Sequence, residues 1–234
     1  MRKSRLAIAA HAAILLVSIP VSAHQEGDII VRGGFTAVVP NDDSDAINLP
    51  TDPATVLPGG VGVDTGYALG LTGVWMITDI WGLELLAATP FEHDIDVKDL
   101  NIDAGSTEHL PPTLSLQWYP MGGKPGWQPY LGLGVNYTTF FSESVDSELR
   151  DVLGAVLDVN TAKLSLDDSF GLSAQAGVDI PLNDKWMLNF GVWYIDIDTE
   201  ATIDVTTNAG AAAEVSFDVE IDPWVYNIGI AYKF

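Results

Sequence analysis

From Tyr67 to Ile77 one residue in two is bulky and apolar: Tyr67, Leu69, Leu71, Trp75 and Ile77, interrupted only by Gly73. Between them stand Ala68, Gly70, Thr72, Val74 and Met76, which are mostly smaller and partly polar. A period of two belongs to a β-strand whose two faces meet different surroundings. The pattern recurs in segments 29–39, 83–88, 113–118, 131–138, 170–179, 186–194 and 224–234. Charged residues are almost absent from the middle of these segments, whereas a soluble sandwich would carry them on its wetted face. Although 47% of the chain is hydrophobic, no stretch after residue 23 approaches the roughly 20 apolar residues of a membrane-crossing helix. Strands that turn every second side chain to lipid reconcile these facts. The expectation is an all-β, eight-stranded antiparallel transmembrane up-and-down barrel.

The chain ends support export. Arg2, Lys3 and Arg5 precede a short apolar run from Leu6 to Ile19, and Val21-Ser22-Ala23 supplies small residues for cleavage. Residues 1–23 read as a signal peptide and 24–234 as the barrel, with His24 as the new first residue. Tyr232-Lys233-Phe234 ends the chain on an aromatic residue that completes an outward stripe. It is similar to the terminal signal that the barrel-assembly machinery reads. Short links at 78–80, 120–127 and 181–185 alternate with longer ones at 40–66, 97–110, 142–168 and 205–215. That alternation suits tight periplasmic turns and long outer loops in a bacterial outer membrane. Segment 147–157 in the third long loop has helical character.

Removing the signal leaves 7 Lys and Arg against 32 Asp and Glu, a formal charge of −25 compared with −22 for the whole chain. Such a balance repels nucleic acid. There is no cysteine, so neither disulfides nor thiolate metal sites arise. The three histidines after residue 23, at 24, 93 and 109, form no recognisable hydrolase arrangement with a serine. His93 with Glu92, Asp94 and Asp96 could bind a metal weakly, but acids in a loop read first as solvated charges. No catalytic residue, metal or cofactor is expected, and the chain is not read as an enzyme.

Five dispersed stretches resemble the OmpW family of small outer-membrane barrels. They are residues 82–91 (GLELLAATPF), 109–114 (HLPPTL), 134–141 (GVNYTTFF), 192–199 (VWYIDIDT) and 222–225 (DPWV). The likeness runs from about Gly27 to Phe234 and is weakest in the first and third loops. It implies an eight-stranded barrel proposed to pass small hydrophobic molecules. It also implies an apolar pair constricting the lumen, at the positions of Leu86 and Trp193, and alternation independently turns both inward. Glu92 and Asp94 depart from the family, which more often has basic residues there, so an anionic ligand is not expected.

The inward residues sort by height. Toward the outside, Asp196, Asp198, Glu200, Asp218, Glu220 and Asp222 fall on the outer parity, where acids cannot face lipid cheaply. These strand ends are therefore expected to stand above the bilayer, with Ile195, Ile197, Phe217, Val219 and Ile221 forming an apolar vestibule or a small rim core. Lower down, Arg32, Glu84, Gln117, Gln175 and Lys233, with Asn136, Asp179, Asn189 and Asn227, are expected to form a polar plug. Pro90, Pro111 and Pro112 lack backbone donors and either loosen the wall between strands three and four or merely end their pairing. The leading reading is a channel for passive uptake of small hydrophobic molecules with lateral release into the membrane. The alternative is a non-transporting structural or receptor barrel met by phage or bacteriocins. Outer-membrane lipid and lipopolysaccharide are the expected surroundings.

Overall fold

The computed structural model describes residues 23–51, 54–57 and 59–234. The proposed signal segment, except Ala23, lies outside the described residues. Eight antiparallel strands, Ile29–Val39, Gly66–Thr78, Trp81–Ala88, Thr113–Trp118, Gln128–Val145, Ser169–Pro181, Trp186–Ile195 and Trp224–Lys233, follow one another around a closed wall. They are called the first to eighth strands below. Closure comes from the first strand pairing with the eighth, with Val31 opposite Tyr232 and Phe35 opposite Ile228.

The register is the one the alternation demands. Leu69, Leu85, Leu116, Leu133, Leu172, Phe190 and Ile228 are all exposed on the outer wall, and Leu133 and Phe170 each reach 72%. Apolar surface of this extent faces hydrocarbon in a membrane protein. Inward neighbours such as Arg32, Thr72, Glu84, Gln117 and Gln175 are buried. A slip of one residue would exchange the two sets, so burial of one face fixes the pairing.

The long loops continue the barrel upward as sheet. Phe91–Val97 and Ile102–Leu110 form a hairpin above the third and fourth strands, and its second arm pairs with the upper part of the fifth. The fifth strand has 18 residues, roughly 60 Å of extended chain, far more than a bilayer requires. Asp198–Thr207 and Ala212–Glu220 form a second hairpin, to which Val159–Leu166 adds an edge. The third loop contains an α-helix, Ser147–Leu157, capped by the Asp146 carboxylate on the Glu148 amide. Leu149 and Leu153 bury its apolar side.

Candidate lumen and lateral wall

Inside the wall three layers are stacked. The outermost is an apolar cluster containing Leu86, Phe91, Ile95, Leu149, Trp193, Phe217 and Val225, among others. The five expected vestibule residues, Ile195, Ile197, Phe217, Val219 and Ile221, all belong to it. Alternation explains this: Asp198, Glu200, Asp218 and Glu220 take the exposed face of the same strands. The cluster encloses a cavity of about 40 Å³ whose lining is apolar apart from His93, Thr107 and Thr199. That is room for a few waters or a small group. Most of the outer lumen is packed.

Beneath it lies a connected polar network. Arg32 donates from Nε and Nη2 to the two carboxylate oxygens of Asp179, at 3.0 and 2.7 Å. Its Nη1 donates to Glu84 at 2.7 Å and its Nη2 also donates to the Tyr119 hydroxyl at 2.8 Å. Gln117 and Gln175 donate to Glu84 at 2.8 and 2.9 Å, and Asn189 donates to Asp179 at 2.9 Å. Arg32, Glu84 and Asp179 are essentially unexposed, so each charge is held only because the others are there. Lys233 stands apart from this network. Its Nζ lies at the periplasmic end, 3.4 Å from Asp28 and 2.8 Å from the Ala23 carbonyl oxygen. Asn136 and Asn227 are also separate, the first donating to Thr113 and the second to Thr36.

Three members of the network escaped the sequence reading. Tyr119 and Tyr130 continue the inward parity of the fourth and fifth strands by one step, and that parity was the signal for them. His24 is the third: its Nε2 lies 3.1 Å from Asp179, and its ring meets Tyr119 edge-on at 5.1 Å. Below the network Ile30, Val74, Met76, Tyr119, Tyr130, Met187 and Ala231 make a small apolar floor.

Leu86 and Trp193 sit at the lower edge of the outer cluster. Leu86 is two residues above Glu84, and Trp193 pairs with Gln175 across the ladder. Gly191 makes room for the indole, since a Cβ there would fall 2.6 Å from Trp193 Cη2. Among the described residues the buried indole Nε1 has no hydrogen-bond partner.

The wall between the third and fourth strands is broken. Their ladder ends at Leu86 opposite Thr113 and resumes only at Phe91 opposite His109. Among the described residues no backbone hydrogen bond joins 87–90 to 110–112. The groups turn elsewhere: Thr89 donates to Leu69 on the second strand, and Tyr137 on the fifth donates to Pro112. Pro90, Pro111 and Pro112 flank the break, and none has a proton to give across it.

Just above the break, alternation along Phe91–Val97 sends Glu92 and Asp94 outward and His93 inward. The His93 and His109 rings stack at 4.8 Å, almost parallel, with Phe91 and Phe140 against His109. Burial lowers both imidazoles below their ordinary value, His109 to about 3, where the neighbouring His93 adds to the effect. His93 Nδ1 lies against the Asp64 carbonyl, while among the described residues Nε2 of both rings is buried without a hydrogen-bond partner. The strand thus turns His93 away from Glu92 and Asp94, so the histidine and these acids do not form one cluster.

Residues 25–234 match the model of the OmpW family. The chain belongs to that family. Outer membrane protein W of Vibrio cholerae is 46% identical over 224 residues, covering 94% of each chain. The OmpW family protein of Escherichia coli is 36% identical over 230 residues, covering 98% and 99%. Among solved structures, the crystal structure of outer membrane protein OprG from Pseudomonas aeruginosa superposes with a TM-score of 0.80 at 45% identity, covering 92% and 99%. As a member of the OmpW family, the chain is an outer-membrane β-barrel.

Proposed function

We propose that the protein admits small hydrophobic molecules passively from outside and releases them sideways into the outer membrane. The observation that carries this reading is the break between the third and fourth strands, beside an apolar outer lumen and above a closed polar network. A molecule without polar groups that continued downward would strip partners from Arg32, Glu84 and Asp179. Leaving buried polar groups unpaired costs about 1–3 kcal/mol each, more for charges. Moving sideways at Pro90, Pro111 and Pro112 breaks no ladder bond. Leu86 and Trp193 then act as the floor that separates vestibule from plug. Ile195, Ile197, Phe217, Val219 and Ile221 act as the vestibule wall.

The small cavity favours the second reading, a non-transporting structural or receptor barrel whose rim is simply well packed. Transport therefore requires the rim to part around a ligand. Uptake of an alkane-like fluorescent probe into liposomes, with and without the protein, separates the two. Transport predicts faster uptake with protein, and slower uptake when Pro90 and Pro111 are both replaced by threonine, with the folded barrel retained. Equal rates with and without protein would leave the structural reading. In either case Phe234 is the residue offered to the assembly machinery, and the acidic rim meets lipopolysaccharide through bridging divalent cations.

A further inference from the structure

The cavity in the rim is not uniformly greasy. Three polar residues line it, and their hydrogen bonds differ. Thr199 donates to the Asp167 carbonyl at 2.7 Å, so its proton is committed. Thr107 reaches only its neighbour Glu108, at 3.4 Å. His93 is 1% exposed and has one nitrogen occupied and one bare.

The tautomer of His93 follows from its partner. A carbonyl oxygen only accepts, so Nδ1 must carry the proton that points at Asp64. Desolvation holds the ring neutral, against the raising effect of Asp64 and Asp94. Nε2 is then an unprotonated lone pair among mostly apolar side chains, where a missing partner is costly. A carboxylate has no proton to give it, and either a carboxylate or a phosphate would have to be desolvated among aliphatic side chains. A plain alkane leaves it as it is.

We propose that the vestibule is a site for uncharged hydrophobic molecules bearing a hydroxyl group, such as aliphatic alcohols. The hydroxyl donates to His93 Nε2, and the tail, once the rim parts around it, lies along Ile95, Val97, Leu149 and Phe217. This deepens the transport reading and rests on it. His93 thereby sorts ligands by head group, while the apolar lining sorts them by tail. Its neighbour His109 stands on the first rung above the wall break, so the hydroxyl is held beside the proposed exit.

The test compares 1-octanol with octane at matched mole fractions in bilayer nanodiscs and liposomes. With histidine labelled in nitrogen-15, 1-octanol should shift the His93 Nε2 resonance toward the hydrogen-bonded range, and octane should not. This measurement needs no variant. In uptake, the alcohol-to-alkane preference of the native protein should fall roughly two- to tenfold in His93→Phe, the ratio supplied by one net hydrogen bond. Phenylalanine keeps the ring stack, and the native-state resonances of the variant check its fold. An unmoved Nε2 signal with both compounds transported would overturn the hydroxyl proposal and leave the transport reading intact. Transport of neither compound would overturn the transport reading itself. An equal preference in native protein and variant would show that His93 does not select the head group.

Discussion

Replacing Arg32 with methionine keeps the unbranched stem as far as the position of Nε and removes the charged guanidinium. Four hydrogen bonds disappear, three of them to carboxylates, and Glu84 and Asp179 remain buried without a cation. Removing one partner of a buried ion pair costs about 3–5 kcal/mol, most of it from the charge left behind. The glutamines soften this for Glu84 and Asn189 softens it for Asp179, so the middle of that range is expected. With a urea slope of about 2 kcal/mol/M, a loss of about 4 kcal/mol lowers the unfolding midpoint by roughly 2 M. The assay is urea unfolding of the barrel in lipid vesicles, followed by tryptophan fluorescence. Adding Glu84→Gln and Asp179→Asn to the methionine variant removes the stranded charges and should restore more than half of the loss. A midpoint for Arg32→Met within about 0.5 M of native would refute the account of mutual dependence. So would a triple variant no better than the single one.

Three other outcomes are expected. Trp193→Ala should raise single-channel conductance or probe uptake; unchanged values would reduce the indole to ordinary packing. Gly191→Ala should destabilise the barrel by about 1–3 kcal/mol because its Cβ falls 2.6 Å from the indole, and the penalty should largely vanish in a Trp193→Ala background. For pH, the lowered native values of His93 and His109 mean that the unfolded chain binds more protons once pH falls below about 6.5. Their contribution is thus complete above that pH and is lost as pH falls, in the case of His109 on the way down toward 3. Between pH 7 and 5 His109 alone accounts for about 2 kcal/mol, so the urea midpoint should drop over this window in native protein and drop less in His109→Phe.

The barrel was legible because its information is local. Which way Leu85 or Leu133 points depends only on parity along its own strand, and lipid on one side makes the parity visible. The outer apolar cluster was legible for the same reason: Asp198, Glu200, Asp218 and Glu220 mark the wet face and leave Phe217 and Val219 no other side. Pairings across the lumen carry no such local mark. Nothing in the neighbourhood of Arg32 says that it will meet Asp179, 147 residues away, rather than Lys233's partners at the barrel end. His24 shows the limit most clearly, since a single residue before the first strand has no period from which to read its direction. His93 was misread because the run of acids around it dominates composition, although the alternation that separates them was already present. Where parity was carried past the nominal end of a strand, as it would have been to Tyr119 and Tyr130, the sequence held more of the plug than a strand-by-strand reading extracted.

The Arg32–Asp179 contact has a consequence for how the barrel is assembled. Laid out in chain order, the first and sixth strands of an unclosed sheet are five steps apart, roughly 24 Å at the usual strand spacing. No local hairpin can bring those side chains together. The contact forms only when the sheet curls and its two free edges meet. A half-inserted intermediate therefore carries an unneutralised Asp179 carboxylate on one arm, and on the other a guanidinium with only Glu84, two strands away, within reach. The attraction between them rewards the final zipping step rather than the early ones. Such a latch makes closure abrupt and leaves partly rolled sheets as poor long-term residents of the membrane.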